Sequence, residues 1–163
     1  MLHIKWIPRA LLTDVDALSR KIDFDDWETT EHLFQFLNKK WGPFTRDCFA
    51  DSKNTKLSKI FSKYMCPNTA GVNAFLYSCA GGKNYLVPPV YLVGKTIKHL
   101  QFFKASGVLV VPYWFSATFW VYLCRNQNQF QSFVKDYIVF DNPKNCVKQG
   151  LKKRLFHRFT FIS

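Results

Sequence analysis

Asn84-Tyr85-Leu86-Val87-Pro88-Pro89-Val90-Tyr91 sets a Pro-Pro pair between a short apolar run and a long amphipathic one. Two prolines fix two φ angles and remove two N–H donors, so the pair stands outside any helix interior or central strand. It marks the place where a strand ends and the chain turns. Beyond it Leu92, Val93, Thr96, Ile97, Leu100 and Phe103 recur at helical spacing, with Lys95, Lys98 and Gln101 on the other face. Strand, rigid turn and helix, in that order, is the layout of a site at the carboxyl edge of an α/β sheet.

The same alternation extends in both directions. Downstream, Ser106-Gly107 reads as a helix stop, and Val108-Leu109-Val110-Val111-Pro112 reads as a buried central strand, being apolar and rich in β-branched residues. Residues 113–120 form an aromatic helix-forming stretch whose Phe115, Phe119 and Trp120 are expected in the core. Residues 125–129 are a polar connection, residues 137–140 another strand, and residues 154–162 an edge strand. Upstream, residues 44–50 read as the first strand, and Asp51-Ser52-Lys53-Asn54 turns the chain into a basic segment with Lys56, Lys59 and Lys63. Residues 72–75 read as a second short strand. Thr29 is a candidate N-cap for a covering helix that carries Leu33, Phe34, Phe36, Leu37 and Trp41 on one face and stops at Gly42-Pro43. The expected fold class is α/β, a single mainly parallel sheet with flanking helices.

With 163 residues and 48% hydrophobic content, the chain has room for one ordinary domain and a short leader. No run approaches eighteen apolar residues, and the first residues lack the apolar middle of a signal peptide, so an intracellular protein, nuclear or cytoplasmic, with no membrane partner is expected. Cys48, Cys66, Cys79, Cys124 and Cys146 are widely spaced and odd in number, which favours reduced thiols over a zinc site or a disulfide framework. The four histidines show no spacing to a cysteine that suggests a nucleophile pair. Charge is unevenly placed. Residues 1–40 hold six Lys/Arg against seven Asp/Glu, whereas residues 41–163 hold seventeen against four, so the net charge of +12 belongs to the later part. Its densest part, with Lys152, Lys153, Arg154 and Arg158, reads as a phosphate-binding face for DNA or RNA.

Two groups of motifs carry a resemblance. Trp6-Ile7-Pro8-Arg9 followed by Asp14-Val15-Asp16-Ala17-Leu18-Ser19-Arg20 resembles the end of a retroelement ribonuclease H domain, in which Asp16 matches the last metal-binding carboxylate. Such chemistry needs several converging carboxylates, so residues 1–22 read as a remnant and residues 23–28 as an acidic linker. Residues 29–163 then form the main domain. In that domain Asp47-Cys48-Phe49-Ala50, Val72-Asn73-Ala74-Phe75 and Asn84 to Val90 follow in order, with Trp41-Gly42-Pro43, Phe61-Ser62 and Val110 to Trp114 between and around them. The set resembles Dam-type DNA adenine methyltransferases, and more closely the methyltransferase-like domain of DIRS-type tyrosine-recombinase retrotransposon polyproteins. The resemblance implies a Rossmann-like, methyltransferase-type sheet. It also implies S-adenosylmethionine held by Asp47, Phe49, Asn73 and Phe75, a base-handling motif at Val87, Pro88, Pro89 and Val90, and other domains of the same polyprotein as partners.

At that motif the family places an Asn or Asp before the prolines and an aromatic residue after them. The amide or carboxylate oxygen accepts from the amino group of a flipped adenine, and the ring stacks on the base. Here the two positions are Val87 and Val90, the second motif has Asn73 for an aspartate, and the first has no glycine. The expected function is accordingly a catalytically degenerate, nucleic-acid-binding module. A working adenine methyltransferase, with Asn84 or Tyr91 leaning in as substitutes, and a structural spacer are the alternatives.

Overall fold

The computed structural model describes residues 27–126, 129–140, 146–149 and 159–162. Asp16 with the rest of residues 1–22, and Lys152, Lys153, Arg154 and Arg158, lie outside the described residues.

The chain enters through β1 (Trp27–Thr29), which pairs antiparallel with β10 (Val147–Gln149). Trp27 and Glu28, the last two residues of the expected linker, thus belong to a strand, and Trp27 is a core residue. The following helix, α1 (Glu31–Trp41), is capped by Thr30 rather than Thr29: Thr30 Oγ1 accepts from the Leu33 amide at 3.4 Å. Thr29 is instead engaged in a 2.6 Å hydroxyl–hydroxyl bond to buried Tyr85. Leu33, Phe34, Leu37 and Trp41 form the buried stripe of α1, whereas Phe36, expected on the same face, is 43% exposed.

A seven-stranded sheet follows, built from β2 (Arg46–Asp47), β3 (Ile60–Ser62), β4 (Thr69–Val72), β5 (Lys83–Leu86), β6 (Ser106–Pro112), β9 (Tyr137–Phe140) and β11 (Phe159–Ile162). Its spatial order is β4-β3-β2-β5-β6-β11-β9. The first five strands are mutually parallel, and β11 runs antiparallel to both of its neighbours. The result is an α/β architecture compatible with a Rossmann-like fold. The expected edge strand at the end of the chain is therefore an interior one. Its alternation of Phe and Thr reads as half-exposed, but position in a sheet is decided by which edge is free when the strand returns.

Side-chain parity divides the core into two layers. Tyr85 and Val87, like Val108 and Val110, face α1 with Trp27, Phe34, Leu37 and Phe44. Leu86, Leu109 and Val111 face the opposite way, onto α2 (Val93–Phe103) and the short α3 (Trp120–Leu123). The uninterrupted Val108–Val111 run is explained by this two-sided burial. Three expectations are corrected on this side of the sheet. Helix α2 ends on Lys104 in the left-handed conformation (φ 49°), so Ser106 and Gly107 begin β6 instead of stopping the helix. Of the aromatic stretch only Trp120 enters a helix, the single turn of α3; Phe119 and Trp120 are buried, whereas Phe115 is 48% exposed. The polar connection contains a small hairpin of β7 (Cys124–Asn126) and β8 (Gln129–Phe130).

Candidate functional site

Strand order reverses between β2 and β5, because the chain steps outward from β2 to β3 and β4 before returning to the other side. Loops leaving two such strands diverge and open a crevice at their carboxyl ends, the usual ligand position in open α/β sheets. Asp47 ends β2 at that point and Pro88-Pro89 follows β5, so the structure brings two of the three expected motifs together across the reversal.

Asp47 is buried, 3% exposed, beside Trp27, Thr29, Phe49, Tyr85 and Val87. Its Oδ2 accepts from the Lys56 amide at 3.2 Å. Burial outweighs that bond, a second backbone bond from Phe49 and the nearby Lys56 charge, and pushes the Asp47 carboxyl up to about 6. A buried carboxylate held against such a penalty marks a candidate functional site. The lining residues leave room for about one water molecule.

The second motif lies on the same edge. Asn73, at φ 63°, turns the chain out of β4, and its Oδ1 accepts from the Phe75 amide at 3.2 Å. Its side chain therefore serves the turn. Phe75 packs against Phe49 with ring centroids 5.6 Å apart, and Lys95 Nζ sits 4.2 Å above the Phe75 ring. Lys63 over Tyr64 and Lys98 over Tyr122 repeat the arrangement at 5.3 and 4.7 Å. Among the described residues, lysine-on-aromatic pairs thus recur from the β3 and β4 ends to α2. Nothing in the sequence spacing pairs these residues, because each lysine and ring except Lys63 and Tyr64 comes from a different element.

The motif expected to handle a base is placed less favourably. Val87 follows Tyr85 by two positions, so strand parity sends its side chain into the α1-side core, where it is 8% exposed. Val90 begins a single helical turn, Val90–Leu92, that leads into α2. Of the suggested substitutes, Tyr91 is 60% exposed, while Asn84 is fully buried at the start of β5. Asn84 Nδ2 donates to the Ser106 carbonyl at 2.7 Å and to the Cys79 carbonyl at 2.9 Å, and its Oδ1 lies 3.6 Å from Cys48 Sγ. Asn84 therefore ties β5 to β6 and to the preceding loop, and is fully committed there.

A further group escapes any reading of the sequence alone. Cys79 Sγ and His99 Nε2, the latter on α2, both approach the Tyr77 carbonyl, at 4.0 and 3.0 Å. Cys79 and His99 are far apart in the chain, and the packing of the loop after Tyr77 on α2 brings them to this shared acceptor. Groups of three or more His, Cys, Asp or Glu arranged to hold a metal are absent among the described residues. No helix among them is long and apolar enough to cross a membrane. Compared with known proteins, the chain matches no family model and no curated protein.

Proposed function

We propose that the chain is a methyltransferase-like module that has lost methyl transfer and binds nucleic acid through its basic face, as one domain of a retrotransposon polyprotein. The observation that carries the reading is the fate of Val87. The position that should offer an oxygen to the adenine amino group carries an apolar side chain turned into the core. Strand order supports the methyltransferase type. The order β4-β3-β2-β5-β6 follows the third-second-first-fourth-fifth pattern of nucleotide-binding sheets.

S-adenosylmethionine does not fit the residues as they stand. The crevice around Asp47 holds about one water, Asn73 is neutral and engaged with the Phe75 amide, and the β2 turn has no glycine for close approach. What does fit an extended polyanion is the excess of cations, with Lys63, Lys95 and Lys98 set over rings that offer stacking faces. Phosphate contacts release counterions, so affinity must fall steeply with salt.

The expected result is binding of a labelled oligonucleotide, by anisotropy, that weakens roughly 10²-fold or more between about 50 and 200 mM salt. Joint replacement of Lys152, Lys153 and Arg154 by glutamate should weaken it further at any one salt concentration. Salt-independent or undetectable binding would sink the proposal in favour of a spacer. Titration calorimetry with S-adenosylmethionine should give no heat; micromolar binding would restore the active-enzyme reading.

A further inference from the structure

A cavity of about 500 Å³ opens on the α2 side of the sheet, at the edge opposite the Asp47 crevice. There β5 begins at Lys83 and β6 at Ser106, side by side in parallel register, and only Lys104 and Ala105 separate the end of α2 from β6. The alternation of a strand puts Gly107 on the same face as Leu109, so β6 sends no side chain into the space beside the end of α2. The floor is aliphatic: Ile97 from α2, Leu109 from β6 and Leu123 from α3, all buried. Half-buried Leu100 and Phe133, which is 39% exposed, stand toward solvent.

Charge is arranged around this apolar space. Lys104 and Lys135 line it, both are exposed, and neither makes an ion pair among the described residues. Asp136, the carboxylate next to Lys135, is engaged with α1, where Lys40 Nζ and Trp41 Nε1 reach its Oδ2 at 3.2 and 3.1 Å. Lys83 also lines the cavity, but its Nζ is directed to the Gly42 carbonyl at 3.5 Å. No Asp or Glu stands among the lining residues.

We propose that this cavity binds a free fatty acid, with the alkyl chain against Ile97, Leu100, Leu109 and Leu123 and the carboxylate at Lys104 and Lys135. The volume lies within the roughly 300–1,000 Å³ of small-molecule pockets. Branched aliphatic walls with a single ring suit a flexible chain and give a nucleobase no pair of faces to stack between. Lysines are point charges on flexible stems, which hold a carboxylate at the solvent boundary while the chain leaves water. The site lies at the far edge of the sheet from Asp47 and stands independently of nucleic-acid binding.

Titration calorimetry of the full chain with dodecanoate, kept below its micelle concentration, tests the site. The expected result is saturable one-to-one binding that tightens by up to about 4-fold with each methylene added between octanoate and dodecanoate. Dodecanol, with the same chain and no charge, should bind several-fold more weakly. Lys104→Gln combined with Lys135→Gln, both at exposed positions, should remove most of that preference and leave dodecanol binding unchanged. Ala105→Phe, which places a ring in the cavity, should weaken both ligands by roughly 10-fold or more. A diazirine-bearing fatty acid maps the site without any variant, and its label is expected on the peptides that carry Leu100 or Phe133. Label spread over the surface, an affinity indifferent to chain length, equal binding of acid and alcohol, or binding to phosphatidylglycerol vesicles alone overturns the proposal. So does the absence of both heat and label at millimolar dodecanoate.

Discussion

Asn84→Leu is expected to destabilise the fold by about 3 kcal/mol or more and to lower Tm by roughly 6–12 °C. The substitution keeps the side-chain volume and removes every polar partner at once. The Cys79 carbonyl, which Nδ2 reaches at 2.9 Å, would be left without its partner in a buried place, and the Ser106 carbonyl, at 2.7 Å, in a half-buried one. An unmet buried acceptor costs on the order of 1–3 kcal/mol, and the half-buried second one adds a smaller loss because leucine offers neither a substitute donor. Relaxation is restricted, since β6 lies unusually close: a Cβ on Gly107 would stand 2.5 Å from the Asn84 carbonyl oxygen and 2.9 Å from its Cβ. Chemical denaturation of Asn84→Leu beside Gln101→Leu, an exposed control expected to change stability by less than about 0.5 kcal/mol, checks the claim. A loss below about 1 kcal/mol for Asn84→Leu would mean that the amide bridges are dispensable.

The same residue shows how far the sequence can be read. Asn84 stands in the stretch that decides the fold, and the strand end, the Pro-Pro turn and α2 are all legible there because proline chemistry and helical periodicity are local. The role of Asn84 is not local. Its partners are contributed by the preceding loop and by β6, so a short polar residue before an apolar run reads equally well as a free side chain near the site. Strand β3 is hidden for a related reason: Ile60-Phe61-Ser62 sits between Lys59 and Lys63, and three buried residues are too few to outweigh a basic surrounding. The short β2 reads as longer than it is because Phe44 and Ala50 are buried outside the strand and imitate its continuation. Motif order places Asp47, Asn73, Phe75 and Pro88-Pro89 on one edge correctly. It gives no warning that Asn73 serves its own turn, because an Asx turn and a ligand-binding side chain look alike until φ is known.

The carboxyl of Asp47 gives the second large effect. Its pKa rises from 3.8 to about 6 on folding, because burial penalises the charged form more than two backbone hydrogen bonds and Lys56 favour it. Between these values the folded chain holds more protons than the unfolded one, so this group's contribution to stability is full below about pH 4. It declines as pH rises and is gone above about pH 6. The upper bound of that decline is about 3 kcal/mol, because each tenfold change in proton affinity is worth about 1.4 kcal/mol. Asp47→Asn cannot ionise, and its one carbonyl oxygen can still accept from the Lys56 amide, though not from both backbone donors. Its stability relative to wild type is therefore expected to be near zero at about pH 4 and to grow to about 1–2 kcal/mol in favour of the variant at about pH 7. Urea denaturation of both proteins across that range measures the difference directly, and other carboxylates cancel because both chains carry them. A difference that stays flat, or an Asn variant less stable at neutral pH, would show that the carboxylate is better satisfied than its burial implies. A stabilising Asn variant would carry the stronger implication, that the acid is retained against the interest of the fold. The carboxylate of β2 would then be under selection for a ligand at the crevice.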